Sequence, residues 1–139
     1  MKIKICIPSY RRPKVETYRY LETPYVYVDS SDYEAYRAQN KGHEEQIICV
    51  PDGVQGNIAR VRNYIMRQVL EREGYDAVCI IDDDMRAIYR WVAMGNHSEK
   101  RKITEGELLE LLQNYTEMCD ELGYKYWGLN CNMDTLSYR

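Results

Sequence analysis

The sequence predicts an α/β sandwich built on a mostly parallel sheet, and three observations carry that expectation. Short apolar, strand-like runs alternate with stretches of helical periodicity along the whole chain. The run Ala77-Val78-Cys79-Ile80-Ile81 is continuously apolar, as expected of a central strand buried on both faces. Residues 104–122 open on Thr104 and Glu107, a capping-box pair, and keep Leu108, Leu111, Leu112, Tyr115, Cys119 and Leu122 on one face until Gly123 ends the helix.

The remaining elements follow in order. Residues 2–7 alternate lysine with apolar side chains and stop at Pro8, which reads as a first strand. Residues 13–21 predict a short helix, with Pro13 in its first turn and Val15, Tyr18 and Leu21 at helical spacing. Thr23-Pro24 breaks it, and residues 25–28 form a second strand ending at Asp29. Residues 32–38 predict another short helix and residues 46–50 a third strand, closed by the turn Pro51-Asp52-Gly53. Asn57 is placed to cap a longer helix over residues 58–73, with Ile58, Val61, Ile65 and Val69 on its buried face and Gly74 as its stop. Residues 87–93 fit a strand or a short helix equally, and residues 126–129 read as a last strand.

Composition narrows the classes. A chain of 139 residues is expected to be one domain spanning residues 1–139. A net charge of −3 gives no polycationic footprint for nonspecific nucleic-acid binding, although a local basic patch stays open. No apolar run approaches the roughly 20 residues of a membrane span, so no membrane segment is expected. Pro8 and Arg11 cut the opening apolar stretch too short for a signal sequence. The cysteines, Cys6, Cys49, Cys79, Cys119 and Cys131, are odd in number and lack CxxC spacing, which predicts reduced, buried thiols and a cytoplasmic location. His43 and His97 are expected on the surface, and Lys100-Arg101-Lys102 as a solvated charge run.

The chemistry-bearing residues cluster at predicted strand ends. Asp82, Asp83 and Asp84 follow the 77–81 strand, and three adjacent carboxylates repel one another unless a cation is near. Because side chains alternate along extended chain, Asp82 and Asp84 point one way and Asp83 the other. Two hard oxygen ligands beside phosphate oxygens suit Mg²⁺ or Mn²⁺; the competing reading is a solvated acidic turn. The loop Pro8-Ser9-Tyr10-Arg11-Arg12-Pro13 offers hydroxyls, an aromatic ring and guanidinium groups that can grip a nucleotide, or is simply exposed. Asp29 is either a hydrogen-bond acceptor for base or ribose or a turn former before Ser30-Ser31. Arg60 and Asn63, one turn apart at a glycine-flanked helix start, can face a diphosphate together, or can be ordinary solvent-facing residues.

Taken in order, the segments IPSYRRP, the aspartate after the second strand, GNIARVRN and IIDDD resemble the nucleotide-binding half of GT-A-fold glycosyltransferases, particularly the family 2-like group. The likeness covers about residues 2–89. It implies a Rossmann-like GT-A sandwich in which Pro8, Ser9, Tyr10 and Arg11 line the nucleotide pocket and Asp29 approaches the base. It further implies Arg60, Asn63, Asp82 and Asp83 around the donor, with Asp82 and Asp84 holding Mn²⁺ or Mg²⁺ as a DxD pattern. A narrower likeness, in SYRRP, VRNYIM and DDDM, is to phage-type glycosyltransferases of the TET-associated kind, which implies a modified DNA base as acceptor.

The expected function is therefore metal-dependent transfer of a sugar from a nucleotide-diphosphate donor to a hydroxyl acceptor. A nucleotidyltransferase and a catalytically incomplete nucleotide-binding module are the alternatives. The family it resembles continues into an acceptor half bearing the catalytic base. The chain is thus expected either to be cut before that half or to bind donor and transfer poorly. Asp134 is the one late aspartate, without an assigned place.

Overall fold

The computed structural model describes residues 1–129. The expected strand of residues 2–7 is β1, Ile3–Pro8, and the next two are β2, Tyr25–Val28, and β3, Ile47–Cys49. Helix α1 is Tyr33–Gln39 and α2 is Ile58–Arg67, followed by β4, Ala77–Ile80. A hairpin of β5, Tyr89–Met94, and β6, His97–Lys102, leads into α3, Glu105–Glu121. Among the described residues, four strands form one parallel sheet in the order β3-β2-β1-β4, while β5 and β6 pair separately and antiparallel. The result is a mixed α/β fold compatible with a Rossmann-like core.

Alternation along β1 explains how the sheet is covered. Cys6 points to one face and packs with Tyr27, Val50, Val61, Ile65 and Val69 beneath α2. Ile7 points to the other and packs with Val15, Val26, Val28, Tyr36 and Ile47 beneath α1. On that second face Ile5, with Leu21, receives Leu108 and Leu112 of α3. Helix α2 is capped by the Asn57 side chain, which accepts from the Arg60 N–H. It runs on through a π-type turn, Gln68–Arg72, in which Glu73 N–H reaches back to Gln68 O, and Gly74, at φ +68°, turns the chain out of it. The Thr104/Glu107 capping box of α3 is formed in both directions.

Several expectations are corrected. Residues 13–21 do not make an α-helix but a single 3-10 turn, Glu16–Arg19. The Asn40 side chain takes the Pro13 carbonyl and the Val15 N–H, at 2.6 and 3.1 Å, so the stretch before the turn is held by a side chain. Strand β4 is not central: among the described residues it pairs only with β1. Its apolar run does report coverage of both faces, since Val78 and Ile80 pack toward α2 and Cys79 and Ile81 toward α3. Such a run says nothing about the strand's edges. Residues 126–129 are not a strand either; Trp127 lies against α3, its indole N–H donating to Thr116 at 3.2 Å.

Exposure also departs from the pattern in places. Ile58, in the first turn of α2, is 57% exposed, and Tyr115 and Leu122 of α3 are exposed as well. Cys49 is exposed, whereas Cys6 and Cys119 are buried. Burial pushes the Cys6 thiol up to about 12 and that of Cys79 to about 11. His43 is not a plain surface residue: its ring stacks on Tyr18 at 3.8 Å. Of residues 87–93, which fitted a strand or a short helix, the part from Tyr89 on is strand β5, and Lys100, Arg101 and Lys102 lie in β6 with their side chains exposed. Arg90 and Arg101, cross-strand partners, both reach Glu107, which docks the hairpin on the start of α3. Asp134 and Cys131 fall outside the described residues.

The two faces of α2 give a direct test. Ile65→Ala is expected to cost about 2–5 kcal/mol in urea unfolding, as for a fully buried aliphatic side chain. Ile58→Ala, on the same expected stripe, should stay within about 0.5 kcal/mol.

Candidate functional site

The strand order changes direction between β1 and β4. From β1 the chain moves outward to β2 and β3, then returns to lay β4 on the other side of β1. Parallel sheets bind ligands outside the carboxyl ends of their strands at such a switch point. The two segments that leave this point are Ser9–Arg12 and Asp82–Asp84.

They are joined by a buried polar chain. Asp83 is 3% exposed and Ser9 equally so. Ser9 Oγ donates to Asp83 Oδ2. A hydroxyl has one proton, so Ser9 must accept from Tyr36 Oη, 2.7 Å away, and Tyr36 in turn accepts from the Arg12 N–H at 3.1 Å. Direction is thus set along Arg12 N–H, Tyr36, Ser9 and Asp83. The guanidinium of Arg12 closes the ring, with Nη2 2.5 Å from Asp83 Oδ1. Burial raises the Tyr36 hydroxyl pKa, which keeps the phenol protonated as this chain requires.

Backbone contacts fasten the same segments. Thr17, fully buried, donates its hydroxyl to Asp82 O at 2.7 Å, and its oxygen accepts the Met85 N–H at 2.9 Å. The Thr17 N–H donates to Asp83 O at 3.1 Å. Gln55, 9% exposed, donates to Ser9 O and Tyr27 O at 3.1 and 2.8 Å, tying the loop after β3 to the ends of β1 and β2. The aspartate turn is therefore held from both sides before any ligand arrives.

What this presents to solvent is the pair Asp82 and Asp84, 73% and 62% exposed at their side chains. They flank Asp83, which is turned inward onto Ser9 and Arg12. Arg12 Nη1 lies 3.5 Å from Asp84 Oδ2, and Arg62 Nη2 lies 3.9 Å from Asp82 Oδ1. No group of three or more His, Cys, Asp or Glu side chains able to hold a metal occurs among the described residues. Two exposed carboxylates do fit Mg²⁺ or Mn²⁺, which bind through one or two carboxylates together with substrate phosphates and water.

The other expected residues divide. Pro8 ends β1, half-buried, beside Tyr27. Tyr10, partly exposed, leans toward the loop after β3, its hydroxyl 4.0 Å from where a Cβ on Gly56 would sit. Arg11 lies over the Tyr10 ring at 4.8 Å, its charge acting on Asp29. Asp29 forms the turn: its Oδ2 accepts from the Ser31 hydroxyl and N–H, at 2.6 and 3.2 Å. Those two bonds, the hydroxyl's first, hold its carboxyl below the usual range. Arg60 and Asn63 do not meet Asp82; with Val54, Asn57, Tyr64 and Arg67 they line an open depression on α2, on the side turned from Val61 and Ile65. Ser9 and Asp83 use their side chains inside the protein.

Thr17, Gln55 and Arg62 were not singled out from the sequence, and Arg12 entered only as one of the guanidinium groups of the loop over residues 8–13. Arg12 and Arg62 each sit within two positions of an arginine that was singled out, and helical phase alone separates Arg62 from Arg60, since only one flank of α2 borders the sheet. Thr17 and Gln55 carry no sequence signal, being polar residues made important by burial. Comparison with family models, with curated proteins and with solved structures gives no match for this chain.

Replacing Thr17 by valine keeps the shape and removes both hydroxyl bonds. Thr17→Val is expected to lower stability by about 2–3 kcal/mol in urea unfolding, because Asp82 O and the Met85 N–H lose a buried partner.

Proposed function

We propose that this domain binds a nucleotide-diphosphate sugar at the carboxyl edge of its sheet and passes the sugar to a hydroxyl acceptor, as a metal-dependent glycosyltransferase of the GT-A kind. The observation that carries the reading is the presentation of Asp82 and Asp84 at the β1/β4 switch point, on a turn braced by Asp83, Ser9 and Thr17. A bound Mg²⁺ or Mn²⁺ would supply positive charge to the departing diphosphate. Asp82 and Asp84 would hold it there. Arg62, on the flank of α2 nearest Asp82, adds a further positive group beside the same oxygens. Asp29, kept ionised by Ser31 and set at the end of β2, is the acceptor group offered to base or ribose.

The reading assigns no catalytic base. A modified DNA base is the acceptor that the narrower likeness brings. A cytoplasmic location belongs to the same proposal and rests on the unpaired thiols Cys6, Cys49, Cys79 and Cys119. No helix among the described residues is long and apolar enough to cross a membrane.

Calorimetric titration of UDP-, GDP- and dTDP-sugars, with and without Mn²⁺, tests the donor site. Wild type is expected to bind one nucleotide class only when metal is present. Asp84→Ala should weaken that binding by more than the roughly 10–100-fold that loss of an outer partner of a metal ligand costs. Equal binding without metal, or none to any nucleotide, would sink the reading. Hydroxyl acceptors, hydroxymethylated DNA among them, then separate a transferase from a module that only binds. Pyrophosphate release from a nucleoside triphosphate would mark a nucleotidyltransferase instead.

A further inference from the structure

The sequence offered Arg12 only as one guanidinium of a nucleotide-gripping loop, yet it is in contact with two of the three aspartates. Its geometry is built rather than accidental. Arg11 adopts φ +55°, a left-handed conformation uncommon for a side-chain-bearing residue, and its N–H lies 3.3 Å from the Asp32 carboxylate. The Arg12 N–H is then held by Tyr36 at 3.1 Å. This backbone sends successive arginines to different places, Arg11 over Tyr10 and Arg12 onto the aspartates.

The two contacts of the Arg12 guanidinium differ in kind. The one to Asp83 is short and ends on a carboxylate 3% exposed, which burial makes costly to leave unpaired. The one to Asp84 is longer, 3.5 Å, between groups 61% and 62% exposed, where solvent screening leaves an ion pair weak and readily exchanged. One nitrogen is anchored and the other is replaceable.

Resting on the donor-site reading above, we propose that Arg12 is an internal counter-ion for Asp84, standing where the divalent cation binds, and that it is the arginine that grips the donor's diphosphate once the metal takes Asp84. The Asp83 contact stays made throughout, so the guanidinium need only release one carboxylate to turn Nη1 toward phosphate oxygens. Metal and diphosphate then favour each other's binding: the metal frees the arginine, and the diphosphate gives it a new partner. By linkage the coupling is reciprocal.

The test uses Mn²⁺ alone, followed by Mn²⁺–pyrophosphate, on wild type, Arg12→Gln, Arg12→Lys and Asp84→Asn. Affinities come from calorimetry, with the spectrum of bound Mn²⁺ as a second readout. In the absence of pyrophosphate, Arg12→Gln is expected to bind Mn²⁺ about 5-fold more tightly than wild type, the upper range for removing an exposed ionic competitor. Mn²⁺–pyrophosphate should bind it more weakly than wild type. Arg12→Lys keeps a charge for Asp83 but cannot span both carboxylates; it should fold normally and also bind Mn²⁺ more tightly. General loosening of the turn would weaken metal binding, the opposite direction. Unchanged or weaker Mn²⁺ binding in both variants, while wild type binds and Asp84→Asn does not, overturns the role of Arg12 and leaves the donor site standing. Absence of binding from wild type and every variant, for Mn²⁺ alone and for Mn²⁺–pyrophosphate alike, overturns both.

Discussion

A carboxylate taken out of water must be matched by donors and charge, and in this protein Asp83 imposes that demand where the strand order reverses between β1 and β4. Its oxygens are met by Ser9 from the end of β1 and by the guanidinium of Arg12. Satisfying Asp83 therefore forces the segments after β1 and β4 to meet, and Tyr36 draws α1 into the same chain of bonds. A hydrophobic contact would have been tolerant of small shifts. A buried charge with directional partners is not, so the position of the whole aspartate turn follows from it.

The exposed pair, Asp82 and Asp84, is a consequence of that inward neighbour. With Asp83 drawn in and the backbone on either side clamped by Thr17, the flanking carboxylates are left facing solvent. Each then lies near an arginine, Asp84 near Arg12 and Asp82 near Arg62, so positive charge comes from the β1 loop on one side and from α2 on the other. Gln55 keeps those two suppliers in fixed relation by binding the carbonyls at the ends of β1 and β2. Rigidity at the base and exchangeable ion pairs at the rim suit the metal and phosphate site proposed above.

Most of the elements could be read from periodicity because they are governed by local chemistry. The Thr104/Glu107 box, the Asn57 cap and the glycine stops at Gly74 and Gly123 act within a few residues, and all appear where the pattern places them. Failures occur where a distant group intervenes. Asn40 takes the backbone of Pro13 and Val15 out of helical use, and Trp127 settles on α3 through Thr116. The apolar run of β4 reported covered faces, while its place at the sheet's edge depends on which strands pair.

The aspartate triplet by itself determined that three mutually repelling carboxylates follow an apolar strand and call for positive charge nearby; which of them turns inward was decided by the turn at Asp83-Asp84 and its contacts with Ser9 and Arg12. The strand-helix order likewise determined that the loops after β1, β2, β3 and β4 share one edge of a parallel sheet. Only the tertiary structure decided which polar residues serve the site. Arg11 and Arg12 are adjacent and alike in sequence, and Arg60 and Arg62 lie two positions apart on one helix; a left-handed φ separates the first pair and helical phase against the sheet the second. Ser9, Thr17 and Gln55 gained their roles from burial, which removes water as a competing partner and turns ordinary side chains into the fixed frame of the site.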